Sequence, residues 1–107
     1  MNGSWKTGSD STVPVYDGGF LLGDGLFETI RFDNSKLFYP SKHLNRLFEG
    51  LDIIRINLKK TDLEIINLLE EIIQRYSLES GLLRLMVTRG DINGPPWKYE
   101  GTAGIYI

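Results

Sequence analysis

Three stretches of this chain carry residues whose types and spacing can do chemistry. The first is Asp17-Gly18-Gly19-Phe20-Leu21-Leu22-Gly23-Asp24-Gly25, running into Leu26-Phe27-Glu28-Thr29-Ile30-Arg31. Clustered glycines ahead of a strand let backbone amides approach a ligand or a partner chain, and they serve a tight turn equally well. Glu28 shares a strand face with Leu26 and Ile30. If that face is core, the carboxylate needs a cationic partner; if it is a rim, the carboxylate reaches water. The second stretch is His43-Leu44-Asn45-Arg46-Leu47. Arg46 stands in the early turns of a helix, where the macrodipole disfavours a cation. An arginine there makes sense when it answers an anion, and its planar fork suits phosphate or carboxylate. The alternative is an ordinary surface salt bridge. His43 reads as a hydrogen-bonded packing residue rather than a base. The third stretch is Leu82-Leu83-Arg84-Leu85-Met86-Val87-Thr88-Arg89-Gly90. Arg84 sits inside an apolar strand, so it must find an anion or reach solvent across a sheet face. Arg89-Gly90 closes that strand at a Gly/Pro loop containing Trp97, and strand ends of this kind often border binding sites.

What the chain lacks narrows the chemistry further. It has no cysteine, which excludes disulfides, zinc-thiolate sites and a thiol nucleophile. Its single histidine excludes a multi-His metal site within one chain and leaves no Ser-His-Asp arrangement to propose. There is no P-loop. Lys6, Lys36, Lys42, Lys59, Lys60 and Lys98 all sit in polar or loop contexts. The formal net charge is −2 and no basic tract exceeds Lys59-Lys60, so nucleic acid is not an expected partner. Apolar runs are far shorter than the ~20 residues of a membrane span, and the polar first residues show no signal-peptide core. A cytoplasmic home is the default expectation.

The elements that must position these groups are legible in the pattern. At 107 residues, 41% hydrophobic and 24% charged, the chain fits one soluble domain able to bury a core without staples. Residues 1–12 read as a flexible arm with room for a short strand around Trp5. Gly18-Gly19, Gly23-Asp24-Gly25 and Gly90 to Gly94 mark loops. Alternation over Leu26–Phe32 predicts a strand, with Leu26, Glu28, Ile30 and Phe32 on one face. Asp33-Asn34-Ser35 is turn chemistry, and Leu37–Tyr39 returns antiparallel. Ser41 is placed as the N-cap of a helix whose stripe is Leu44, Leu47, Phe48, Leu51 and Ile54, ended by Asn57 and the lysine pair. Thr61 or Asp62 caps a second helix that buries Ile65, Ile66, Leu69, Ile72, Ile73 and Tyr76. Leu82–Thr88 and Gly101–Ile107 read as strands. The expected fold class is α+β, a mostly antiparallel sheet with two helices packed on one face, over residues 13–107. The chain ends inside its last apolar strand, which raises the expectation of a piece of something longer.

The three stretches, in this order and at these distances, resemble the N-terminal domain of the class IV (fold type IV) pyridoxal-phosphate enzymes. The residues that carry the likeness are Asp17-Gly18-Gly19-Phe20, Gly23-Asp24-Gly25, Phe27-Glu28-Thr29 and Arg31, then His43-Leu44 and Arg46-Leu47, then Leu83-Arg84 and Thr88-Arg89-Gly90. That family includes branched-chain aminotransferases, D-amino acid aminotransferases and aminodeoxychorismate lyases. The resemblance implies a small α+β domain completed by a larger C-terminal domain, with pyridoxal 5'-phosphate between them. It implies that Arg46 contacts the cofactor phosphate, that Phe27 faces the substrate cleft and that Arg84 lies near the active site. Arg89 and Trp97 are expected to border the substrate side, and Glu28 to pair with a nearby cation in support. The Schiff-base lysine and the glutamate for the pyridine nitrogen belong to the C-terminal domain and are absent from this sequence, so no catalytic residue is assigned and the chain alone is not expected to transaminate.

Departures from the family pattern bear on substrate. Leu22 stands where branched-chain members often carry tyrosine. The loop from Arg89 to Trp97 lacks both the Arg and His of D-amino acid members and the Arg-Gly-Tyr of many lyases. Phe27-Glu28-Thr29 leans toward lyase-like or general members. The leading expectation is amino-group transfer from an amino acid to a 2-oxo acid, in a homodimer of the completed enzyme. The alternatives are an aminodeoxychorismate lyase and a non-catalytic module that pairs through the edge of its last strand.

Overall fold

The computed structural model describes residues 1–92 and 102–107. Asp17 starts a short helix, α1 (Gly18–Leu22), by accepting from the Gly19 amide, and Gly23 ends it in the left-handed region at φ +64°. The glycine pair expected as a loop is therefore the first turn of a helix, because a carboxylate at the cap satisfies an otherwise orphaned amide. Strand β1 (Gly25–Asp33) follows. Asn34 and Ser35 both take positive φ, the primed turn geometry whose twist suits a two-residue hairpin loop, and β2 (Lys36–Leu37) returns antiparallel.

Helix α2 (Pro40–Ile54) starts at proline, whose missing N–H costs nothing at the first helical position. Ser41 consequently lies inside the first turn rather than at the cap. The cap position falls to Tyr39, in the left-handed region and with no side-chain cap hydrogen bond. The helix ends at Ile54 with Arg55 left-handed, ahead of Asn57 and the lysines expected to stop it. Helix α3 (Asp62–Arg75) opens on a full capping box between Thr61 and Glu64. Strands β3 (Gly81–Thr88) and β4 (Gly104–Tyr106) complete the sheet.

The sheet order is β2-β1-β3-β4, antiparallel throughout. Alternation decides the burial: Glu28, Ile30 and Phe32 of β1 and Leu83, Leu85 and Val87 of β3 face inward, while Phe27, Arg31, Leu82, Arg84 and Met86 are exposed. Leu44, Leu47 and Leu51 of α2 and Ile65, Leu69 and Ile73 of α3 join the inward residues in one core, so both helices cover the same face. Each such side chain, once removed from water, contributes about 1.5–3 kcal/mol. Tyr76, expected in that core, is 45% exposed because α3 ends at Arg75 and the chain turns away there.

No strand forms around Trp5. Its ring lies under the Arg75 guanidinium at 4.3 Å and meets Tyr76 edge-on, while Asn2 brackets Ile105, donating its amide to the carbonyl and accepting through Oδ1 from the Ile105 amide.

Candidate functional site

Glu28 is the centre of one cluster. It sits on the inward face of β1 and is 5% exposed, opposite the first turns of α2. Side chains on a helix lean toward its N-terminus, which carries Arg46 back to the level of the strand carboxylate. Arg46 Nε donates to Glu28 Oε1 and Nη2 to Oε2, both at 2.6 Å. One turn earlier, His43 Nδ1 is 2.9 Å from Oε2. The carboxyl is held below the ordinary glutamate range, first by the Arg46 hydrogen bonds, against burial, with His43 adding to the effect. The same bonds push the Arg46 guanidinium still higher, so it is always charged. Its side chain is nevertheless 72% exposed. One edge of the fork is clamped, and Nη1 has no hydrogen-bond partner among the described residues.

Phe27 and Arg84 meet on the opposite face of the sheet. Thr29 pairs with Arg84 and Phe27 with Met86 across β1 and β3, and the Arg84 guanidinium lies 4.8 Å from the Phe27 ring centroid. A cation over an aromatic face is held in place while its donors remain available. The Thr29 hydroxyl beside it is buried without a partner among the described residues. Arg46 and the Phe27–Arg84 pair are thus separated by the thickness of β1, and adjacent residues Phe27 and Glu28 connect them.

Arg89 is placed elsewhere. Its side chain is 11% exposed and paired with Asp24, to which Nη2 donates at 3.0 Å. Nη1 donates to the Arg55 carbonyl at 3.0 Å and Nη2 to that of Ile54 at 2.6 Å. A cation donating to the last carbonyls of a helix is favourably placed on the dipole, so Arg89 braces the end of α2 against the turn before β1. Trp97 lies outside the described residues.

Sequence reasoning missed a second buried node. Asp17 is 1% exposed. It accepts from the Gly19 amide and the Thr88 hydroxyl, each at 2.8 Å, and from the Tyr106 hydroxyl at 3.0 Å. Burial first, with Asp17 adding to it, raises Tyr106 above the ordinary phenol. A side chain at Gly19 has no room, since its Cβ collides with Thr88, and the Gly18 amide donates to the Gly90 carbonyl at 2.7 Å. The glycines therefore let α1 dock on the end of β3. The available signal was an acidic residue directly ahead of a glycine pair.

A groove of about 680 Å³, bordered by Asn2, Arg55, Lys59, Asp91 and Tyr106, lies apart from Arg46, Phe27 and Arg84. Among the described residues no group of acidic or histidine side chains is arranged to hold a metal, and no helix is long and apolar enough to cross a membrane.

Comparison with known proteins points to the same family as the sequence resemblance. Residues 25–102 match the amino-transferase class IV family. The chain is 34% identical over 105 residues to a D-alanine aminotransferase of Bacillus licheniformis, covering 98% of this chain and 36% of the relative. It is similar to the 4-amino-4-deoxychorismate lyase structure from Pseudomonas aeruginosa, with a TM-score of 0.70 and 28% identity over 89% of this chain and 33% of that one. The branched-chain amino acid aminotransferase of T.th., solved with pyridoxamine 5'-phosphate, shares the fold at a TM-score of 0.85 and 19% identity, covering 98% of this chain and 36% of that one. The chain spans about a third of the length of the curated relatives it matches. The chain belongs to the amino-transferase class IV family.

Proposed function

We propose that this chain is the N-terminal domain of a pyridoxal-phosphate-dependent class IV aminotransferase, transferring an amino group from an amino acid to a 2-oxo acid once a C-terminal domain completes the site. The observation that carries the reading is the half-clamped fork of Arg46. Glu28 takes its inner edge, and the outer edge is left with donors in the geometry that matches a phosphate. The missing side-chain cap on α2 supports it, because uncapped helical amides and the dipole also favour an anion. The donor set fits the phosphate end of the cofactor, and no group in the described residues fits its reactive end. When bound, the cofactor supplies the electron sink for amino-group chemistry.

The rest of this chain's contribution is positional. Arg46 holds the anionic end. Phe27 supplies an apolar wall and Arg84 a fixed cation on the open sheet face, where an amino acid's carboxylate is the natural partner. Arg89, which braces the end of α2 against the turn before β1, is retained as a residue bordering the substrate side on its place in the sequence. Trp97 is retained as a substrate-side residue on its place in the sequence alone.

An aminodeoxychorismate lyase is the second reading, favoured by the similarity to the Pseudomonas aeruginosa lyase and by Phe27-Glu28-Thr29. Both readings place the protein in a homodimer and in the cytoplasm, as family analogy. The test is complementation: mix the chain with the C-terminal part of a class IV relative and measure cofactor absorbance, transamination and 4-aminobenzoate release. Amino transfer without 4-aminobenzoate supports the leading reading. Release of 4-aminobenzoate alone moves the assignment to the lyase. A well-folded mixture that retains no cofactor refutes both.

A further inference from the structure

We propose that His43, linked to Arg46 through the shared carboxylate of Glu28, is a second, proton-dependent arm of the anion seat. The inference rests on the phosphate-seat reading above and adds a residue and a linkage to it. Glu28 and Arg46 cancel each other's charge, so a dianion approaching the open edge of Arg46 meets a pair with no net charge. His43 is the other group on that carboxylate, 2.9 Å from Oε2. Its ring is 24% exposed, and its Nε2 has no partner among the described residues. Protonation therefore costs no existing bond and adds one positive charge to the cluster.

The other charged groups around the ring are few. β1 contributes Glu28. α2 contributes Arg46, and Lys42, the neighbour of His43 in sequence, holds its ammonium 5.1 Å from the Tyr39 ring. α3, packed on α2, sends no hydrogen bond or ion pair to the cluster among the described residues. By linkage, whatever anion affinity His43 gains on protonation is matched by proton uptake on anion binding.

Sulfate is the probe, because it stays dianionic across the range while phosphate itself titrates. The isotope-labelled chain is titrated with sulfate at pH 8.0 and pH 5.5 at constant ionic strength, following the Arg46 Nε–H signal and the ring signals of the single histidine. We expect affinity at Arg46 to rise about three- to tenfold at the lower pH, with the His43 signals moving in step. In His43→Asn, which offers a side-chain donor but cannot take the charge, the rise should shrink below about twofold. Equal affinity at both pH values in the wild-type chain overturns the proposal and leaves the seat standing, as does a rise that His43→Asn preserves in full. No response of Arg46 at either pH removes the seat itself and the proposed function with it. The wild-type titration decides even if the variant does not fold.

Discussion

Arg46 reaches across from α2 to grip Glu28 of β1 with two nitrogens, each 2.6 Å from a different carboxylate oxygen, while most of the arginine side chain stays in solvent. A pair built this way is half structural and half available. The buried carboxylate fixes where the guanidinium points, and the exposed edge faces outward with its donors intact.

The pair sets an acid limit on stability. Glu28 is lowered in the folded chain, chiefly by its hydrogen bonds from Arg46. A lowered carboxyl contributes stability above its unfolded value of about 4.3 and loses that contribution as pH falls from there through the folded value. Denaturant unfolding of wild-type and Glu28→Gln chains should therefore differ at pH 7 and converge as pH drops below about 4. A constant difference down to pH 2 would mean that the carboxylate is not the titrating partner.

Asp17 should matter more for stability than for ligand binding. Its three partners, the half-buried Gly19 amide and Thr88 hydroxyl and the buried Tyr106 hydroxyl, lose their acceptor when the carboxylate is removed. Asp17→Ala is expected to cost about 3 kcal/mol, and Tyr106→Phe, which loses the bond to Asp17 and the longer one from Asn2 Nδ2, about 1–2 kcal/mol. Urea midpoints at pH 7 check both. Tyr106 adds an alkaline counterpart: its value is raised, first by burial, so its contribution is intact below the ordinary phenol value of about 10 and is lost as pH rises beyond it.

Arg89 is expected to act as a brace. Arg89→Met removes donors from Asp24 and from the Ile54 and Arg55 carbonyls, and should lower stability by about 2–3 kcal/mol while speeding amide exchange at the end of α2. Unchanged exchange there, with a loss confined to substrate affinity in the complemented enzyme, would return Arg89 to a direct substrate role.

Much of this was legible in the sequence because it is periodic or motif-borne. Alternation put Glu28 on one face of β1 with Leu26, Ile30 and Phe32 and left core or rim open, which the structure resolves as core, and spacing of three and four gave the buried stripes of α2 and α3. The family match over residues 25–102 bears out the resemblance read from the motifs. What stayed hidden depends on long-range geometry. Asp17 meets Tyr106 across 89 positions of chain, and no local pattern predicts that contact. Arg89 looked like a loop-edge cation until the end of α2 arrived beside it. Tyr39 displaced Ser41 from the cap because a proline at the first helical position outweighs a hydroxyl one residue later.

The most direct measurement compares pyridoxine 5'-phosphate with pyridoxine, neither of which can react with lysine, by following the Arg46 Nε–H signal of the labelled chain. If Arg46 seats the phosphate, the phosphorylated compound shifts this signal saturably, pyridoxine leaves it in place, and Arg46→Ala abolishes the phosphate-dependent binding seen at neighbouring amides. Equal responses to the two compounds, or binding that survives Arg46→Ala, would contradict that role.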